Sequence, residues 1–251
     1  MPFLCAGPQS LRENTCLSTE NFSGGNALND RIFGWLSTDT RKENRMYIPA
    51  FNKMTDKEEI LSFIKRFSFG MVVTMNAAGR PAATHLPFLA EEKDNGLTLL
   101  SHFAKANPQW KTIGQNENIL VIFSEPHAYI SPSNYEKELN VPTWNYIAVH
   151  LYGRGELITG QQQVTDLLNQ TIETYEPAQK AKHAALPENF KTKMMNGIVA
   201  FKVDVTDIQA KKKLSQNKTR KEQEQIIHTL AGSRNTMEQL VAAYMQQELK
   251  D

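Results

Sequence analysis

Between Phe69 and Leu157, short runs rich in β-branched and aromatic residues are cut by strong turn signals, and that rhythm constrains the fold most. Phe69–Met75 reads as a strand, Asn76-Ala77-Ala78-Gly79 as a turn, and Ala82–Leu89 as the returning arm of a hairpin. Asp94-Asn95-Gly96 signals a second turn, and Leu97–Ser101 follows as a third strand. Asn107-Pro108 opens a short helix through Ile113. Ile119–Phe123 is a further strand, Trp144–Leu157 holds one or two more, and Ile198–Val205 alternates and returns as another. Strands this short and this numerous predict a mainly β fold closed into a small barrel, with helical additions.

The helices carry their own signals. Thr55 and Glu58 form a capping box ahead of Ile60, Leu61, Ile64 and Phe67 at helical spacing. Gln161–Tyr175 is amphipathic. Another helix starts at Pro187 and ends near Gly197, the polarity that helix ends prefer. Lys218–Leu230 and Met237–Leu249 close the chain, the latter with Met237, Leu240, Val241, Tyr244 and Met245 on one face.

Residues 1–45 read differently. Asn, Ser, Thr and Gly abound, no period persists, and only Arg31–Leu36 looks able to pack. The folded pattern begins at Met46, which reads as the natural start. The expected organisation is a disordered or non-native extension over 1–45, with a functional arm as the alternative, then a barrel domain over 46–210 and a basic segment with helices over 211–251.

No run approaches the roughly 18 to 20 apolar residues of a membrane span. Met1–Gly7 is too short for a signal-peptide core and lacks preceding basic residues, which also argues against a lipoprotein start at Cys5. The expected compartment is the cytoplasm, with no membrane partner. Cys5 and Cys16 are the only cysteines, too few for a disulfide framework or a structural zinc site. A net charge of +1 gives no general attraction for polyanions.

Ser101, His102, Lys105 and Asn107 place hydrogen-bond donors where a strand end runs into a helix start, a favourable place for a phosphate. The plainer reading makes Asn107 a helix cap and Lys105 a solvated charge. Thr84 and His85 are adjacent on a strand and point to opposite faces, so at most one meets a given ligand, and a lone strand His is more often structural. Pro142-Thr143-Trp144-Asn145-Tyr146 could flank a planar ring or pack in a core. His85, His102, His127 and His150 lie on different strands with no spacing that demands a metal, and none is expected. No nucleophile–base motif, HExxH or P-loop occurs, so no catalytic residue is assigned.

In order along the chain, MYIP at Met46, THLPF at Thr84, HFAKANPQW at His102, PHAYISPS at Pro126, VPTWNY at Val141, HLYGRGEL at His150 and KLSQNK at Lys213 resemble the PaiB-type family of FMN-binding transcriptional regulators. The resemblance covers Met46 to about Leu230. It implies an FMN-binding split β-barrel with C-terminal helices, shared with pyridoxamine-phosphate oxidases, working as a homodimer with FMN at the interface. Carried over, Thr84 and His85 or Leu86 would line the isoalloxazine and ribityl chain. Ser101, His102 and Lys105 would take the phosphate, and Asn107 would start the supporting helix. Tyr129, Ser131, Trp144 and Asn145 would reach the flavin from a second copy. The oxidases carry basic residues on both segments, where this chain has Thr84 on one and Lys105 on the other, so the phosphate grip is expected to be weaker.

The basic run from Lys211 to Lys221 offers DNA phosphate neutralisation without a recognition helix; its other reading is a connection anchored to the barrel by Leu214, Ser215 and Asn217. Three functions follow as expectations: a negative transcriptional regulator, with DNA contact possible but not visible; a flavin-dependent reductase or oxidase, in which the flavin carries the chemistry; and a flavin or haem sensor with His102 or His127 as an axial ligand.

Overall fold

The structure is a computed structural model that describes residues 46–93, 96–115, 118–137 and 139–249. The expected extension 1–45, with Arg31–Leu36, Cys5 and Cys16, lies outside the described residues, as do Asp94 and Asn95 of the second turn.

β1 (Phe69–Met75) and β2 (Pro81–Pro87) form the first hairpin. Its turn holds because Asn76 Oδ1 accepts from the backbone N–H groups of Ala78 and Arg80 at 3.0 and 2.9 Å. Gly79 sits there at φ +72°, a conformation that glycine adopts without steric cost. β3 (Leu89–Lys93), β4 (Gly96–Ala104), β5 (Ile119–Ile130), β6 (Thr143–Ile158) and β7 (Ile198–Lys213) complete one seven-stranded sheet in the order β2-β1-β5-β6-β7-β4-β3. Every pairing is antiparallel.

The two edge strands, β2 and β3, are separated in the chain only by Phe88. A sheet whose opposite edges are one residue apart must curl until they meet. One hydrogen bond fastens that seam, Ser101 Oγ donating to the Pro87 carbonyl at 2.7 Å, while the Phe88 N–H, donating to the Ser68 carbonyl at 2.8 Å, extends the β1–β2 ladder up to the crossing. The expected second strand, Ala82–Leu89, is therefore two strands, broken where the chain crosses the seam. The Phe88 ring enters the barrel edge-on to Phe123 and Phe201, with centroids at 5.7 and 6.2 Å.

Inward positions alternate along each strand: Val72, Leu99, Phe103, Val121, Phe123, Val149, Leu151, Phe201 and Val203 are all buried. Each such side chain contributes about 1.5–3 kcal/mol. β5 and β7 run well past the lengths expected from the sequence, and β6 fills its expected span as one strand. Polar residues interrupt the apolar pattern on both faces, with Asn145 and Lys212 bonded to residues of the C-terminal helix Thr236–Glu248. β5 continues through a register shift between Ser124 and His127, where the Glu125–Pro126 peptide bond is cis.

α1 (Lys57–Arg66) is capped by Asp56, whose side chain accepts from the Glu59 N–H at 2.7 Å. The cap lies one residue beyond the expected Thr55, and Phe63 joins Ile60 and Ile64 in the core, with Phe67 partly buried against them. α2 (Gln161–Tyr175), α3 (Lys180–Ala184) and α4 (Glu188–Met195) form an excursion between β6 and β7. α5 (Arg220–Ala231) and α6 (Thr236–Glu248) follow β7, which continues to Lys213, and α6 packs on β5. Thr219 and Glu222 form a reciprocal capping box at α5. Among the described residues no helix is long and apolar enough to cross a membrane.

Candidate functional site

The eleven residues expected to hold a cofactor fall into two groups. The first gathers at the barrel seam. Val72 and Thr84 are register partners and share the inward face, while His85 points outward with Met71 and stacks on Phe69 at 6.1 Å. Leu86 shares the face of Thr84. Thr84 Oγ1 donates to Gln109 Oε1 at 2.6 Å and accepts from Asn107 Nδ2 at 2.9 Å. Asn107 Oδ1 in turn accepts from the Gln109 N–H at 3.0 Å, opening the 3-10 helix Pro108–Gln115. Asn107 is thus the helix-start residue that was expected, tied directly to Thr84.

Gln109 was not singled out from the sequence, yet it organises this corner. Its buried amide donates to Val72 O, Thr74 Oγ1 and Ala82 O at 3.1, 3.2 and 3.0 Å. A glutamine at the second position of a short helix carries no signal by itself. Its role exists only because the barrel brings β1 and β2 beneath it.

Ser101 faces inward and is buried, its hydroxyl bonded to Pro87 O. It closes the seam, and its hydroxyl is not aimed at the outward surface where His102 lies. Burial of His102 pushes its pKa below the ordinary histidine value, favouring the neutral imidazole. Lys105 is held by its backbone, with its N–H donating to Gly197 O at 2.8 Å and its carbonyl accepting from Trp110 Nε1 at 3.1 Å. Its side chain is exposed, and among the described residues no carboxylate pairs with it. An uncompensated cation on a fixed backbone at a strand end, beside a helix start, suits a phosphate. These residues fit the anionic end of a flavin nucleotide.

The second group lies on β5 and β6 beyond the register shift. Tyr129 and Trp144 are register partners, 47% and 52% exposed, and their rings meet edge-on at 6.0 Å. His127 sits 5.7 Å from the Trp144 ring. Ser131 caps the 3-10 helix Pro132–Asn134 by accepting from the Ser133 N–H at 3.2 Å. Asn145 is turned the opposite way from Trp144. It is fully buried, donating to Ser215 Oγ at 3.0 Å and accepting from the same hydroxyl at 3.1 Å, which anchors the segment before α5. Among the described residues no three His, Cys, Asp or Glu side chains gather to hold a metal ion.

Part of the basic run is engaged within the chain. Lys212 lies between Glu59 and Glu248 at 2.8 and 2.7 Å, Lys218 sits 3.8 Å from the Tyr135 ring centroid, and Lys221 pairs with Glu136 at 2.6 Å.

A seven-stranded antiparallel sheet closed at such a seam, with helices packed after its last strand, is a split barrel. Two solved structures share the fold. The flavocytochrome Anf3 from Azotobacter vinelandii has a TM-score of 0.52 at 18% identity, covering 64% of this chain and 69% of that one. The FAD and heme binding protein from Mycobacterium smegmatis has a TM-score of 0.51 at 14% identity, covering 64% and 73%. The chain belongs to the family described as "Putative FMN-binding domain", whose model matches residues 46–207, and this membership supports FMN as its cofactor. Among curated relatives, the "Protease synthase and sporulation protein PAI 2" of Bacillus subtilis (strain 168) is 42% identical over 212 residues, covering 82% of this chain and 99% of that protein.

Proposed function

We propose that the chain is a PAI 2-like regulator of gene expression that works as a homodimer loaded with FMN. The identity to PAI 2 across nearly the whole of that protein carries this reading, because the name of that protein ties it to protease synthesis and sporulation.

His102 and Lys105 take the flavin phosphate. Asn107 and Gln109 hold β2 and the helix start in place, so that Thr84 and Leu86 set the wall behind the ribityl chain and ring. When bound, FMN supplies redox chemistry; the residues here bind and orient it. The dimer is supported by the outward face of the sheet, where the register row Met71–Ile122–His150 and the row Val73–Leu120–Tyr152 are only half-buried. A second copy laid on that face would cover these apolar side chains, with Tyr129 and Trp144 exposed at its margin. Asn145 and Ser131 serve the fold in this reading. The barrel and its seam form the domain over 46–210, to which the segment 211–251 is fastened through Asn145 and Ser215. Because Lys212 is held between two carboxylates and Lys218 sits on the Tyr135 ring, regulation in this reading proceeds through another surface or indirectly.

An FMN titration of the full chain, with sedimentation of the loaded protein, tests both halves. Lys105→Ala removes a charge-assisted contact of about 1.5–3 kcal/mol, which corresponds to roughly ten- to a hundredfold weaker FMN binding. Unchanged affinity in that variant removes Lys105 from the site, and a monomer at micromolar concentration removes the dimer.

A further inference from the structure

The three helices of the excursion are tied to one another in pairs, and every tie is polar. Thr165 Oγ1 on α2 donates to Met195 Sδ on α4 at 3.4 Å. Lys191 Nζ on α4 donates to the carbonyl of Ala184, the last residue of α3, at 3.0 Å. Lys180 Nζ on α3 donates to Glu173 Oε1 on α2 at 2.9 Å. Helices joined in this way enclose a groove of about 590 Å³ instead of a packed seam. That volume falls within the roughly 300–1,000 Å³ of small-molecule sites.

The lining states what fits. Leu168 of α2, Leu186 between α3 and α4, and Phe190 and Met194 of α4 supply apolar walls, and none of the four is buried. Phe190 and Met194 are four residues apart on α4 and so are neighbours on its surface. A ring beside an unbranched, polarisable thioether suits a flat apolar molecule. The charged residues of the lining, Glu188 and Lys191, pair at 2.8 Å and cancel. An ionised ligand would therefore leave water without a counter-charge, whereas a neutral one incurs no such cost. Asn169 and His183 add hydrogen-bonding groups to the same lining. A protein partner needs roughly 20–30 residues a side, and thirteen described residues line this concavity.

We propose that the groove among α2, α3 and α4 is a binding site for an uncharged aromatic molecule carrying one hydrogen-bonding group. None of its lining residues belongs to the flavin site, and it requires neither FMN nor a second copy.

The test is a calorimetric titration of the full chain with 1-naphthol, with and without saturating FMN. Naphthalene-1-sulfonate, the same ring system with a fixed negative charge, is the counter-probe. Saturable naphthol binding at one site per chain, retained in the FMN-loaded protein, is expected, with the sulfonate about tenfold weaker. Phe190→Ala and Met194→Asp each weaken naphthol about tenfold. Leu139→Asp, an apolar-to-acidic change at an exposed position elsewhere, leaves it unchanged. The proposal is overturned if naphthol does not saturate, if the sulfonate binds as tightly, if FMN displaces naphthol, or if the groove variants bind as the unmodified chain does. Each variant is first checked for an unaltered urea midpoint; should Met194→Asp fail that check, Phe190→Ala decides the matter by the same expected loss.

Discussion

The two helical additions to the barrel read alike in sequence and behave differently in structure. α5 and α6 bury Ile226, Leu230, Val241, Ala242 and Met245 in the same cluster as the barrel interior. They are fixed by the Asn145–Ser215 pair and by Thr229 Oγ1 donating to Asn134 Oδ1 at 2.7 Å. The excursion α2–α4 buries only Leu167, although its helices carry comparable apolar stripes. Phe190, Met194 and Tyr175 stay exposed, and a groove of about 590 Å³ lined partly by Leu168, Leu186 and Phe190 lies among these helices. An apolar stripe makes a helix able to pack; what the strands place opposite it decides whether it does.

The sharpest way to break this contrast is to make one chemical change in both places. Val241→Asp puts an unpartnered carboxylate into the core and should cost about 3–5 kcal/mol, whereas Met194→Asp should stay within about 0.5 kcal/mol. Urea denaturation of both variants reads the difference, and equal losses would mean the excursion is as much part of the core as α6. A milder change probes the anchor. Asn145→Ala leaves the buried Ser215 hydroxyl without its partner and should cost about 1–3 kcal/mol, seen as a lower urea midpoint. Thr219→Ala, which removes the capping box of α5, should cost about 1 kcal/mol by the same assay, with a larger value placing α5 at the centre of folding.

The smallest effect lies at the foot of the excursion, where His102 is the register partner of Ala200. Burial lowers its folded pKa, so the unfolded chain binds a proton at higher pH than the folded one does. The stability tied to the neutral ring is complete above the unfolded pKa of about 6.5 and is lost as pH falls toward the folded value. Midpoints measured between pH 7.5 and 5 should therefore fall less steeply in His102→Gln than in the unmodified chain, and identical slopes would place His102 in water.

Much of the barrel was legible. β1 and α2 fall on their expected residues because an apolar run bounded by turn or cap signals leaves little choice. The long strands were cut short because charged residues such as those of Lys211–Lys213 look like loop, and only the covering α6 and α1 show why they continue. The candidate site was half legible. Asn107 and Thr84 were named, and their hydrogen bond follows from the hairpin and helix start meeting at the seam. Gln109 was invisible, and Asn145 was given a ligand role, because alternation shows that it opposes Trp144 but not which face of β6 lies under α6.

The pairing of β4 with β7 has a consequence for how the protein is made. Ala104 meets Ile198, so β4 must wait for nearly all of the barrel sequence to be translated before it gains its second neighbour. β6 waits for the same strand. The roughly ninety residues between Ala104 and Ile198 take on the order of 5–20 seconds to emerge from a ribosome; β4 presents an unpaired edge throughout, and β6 joins it for the last part. β7 is thus the keystone of synthesis as well as of structure. A message truncated within the excursion would yield a chain with two sticky edges, which should aggregate rather than fold.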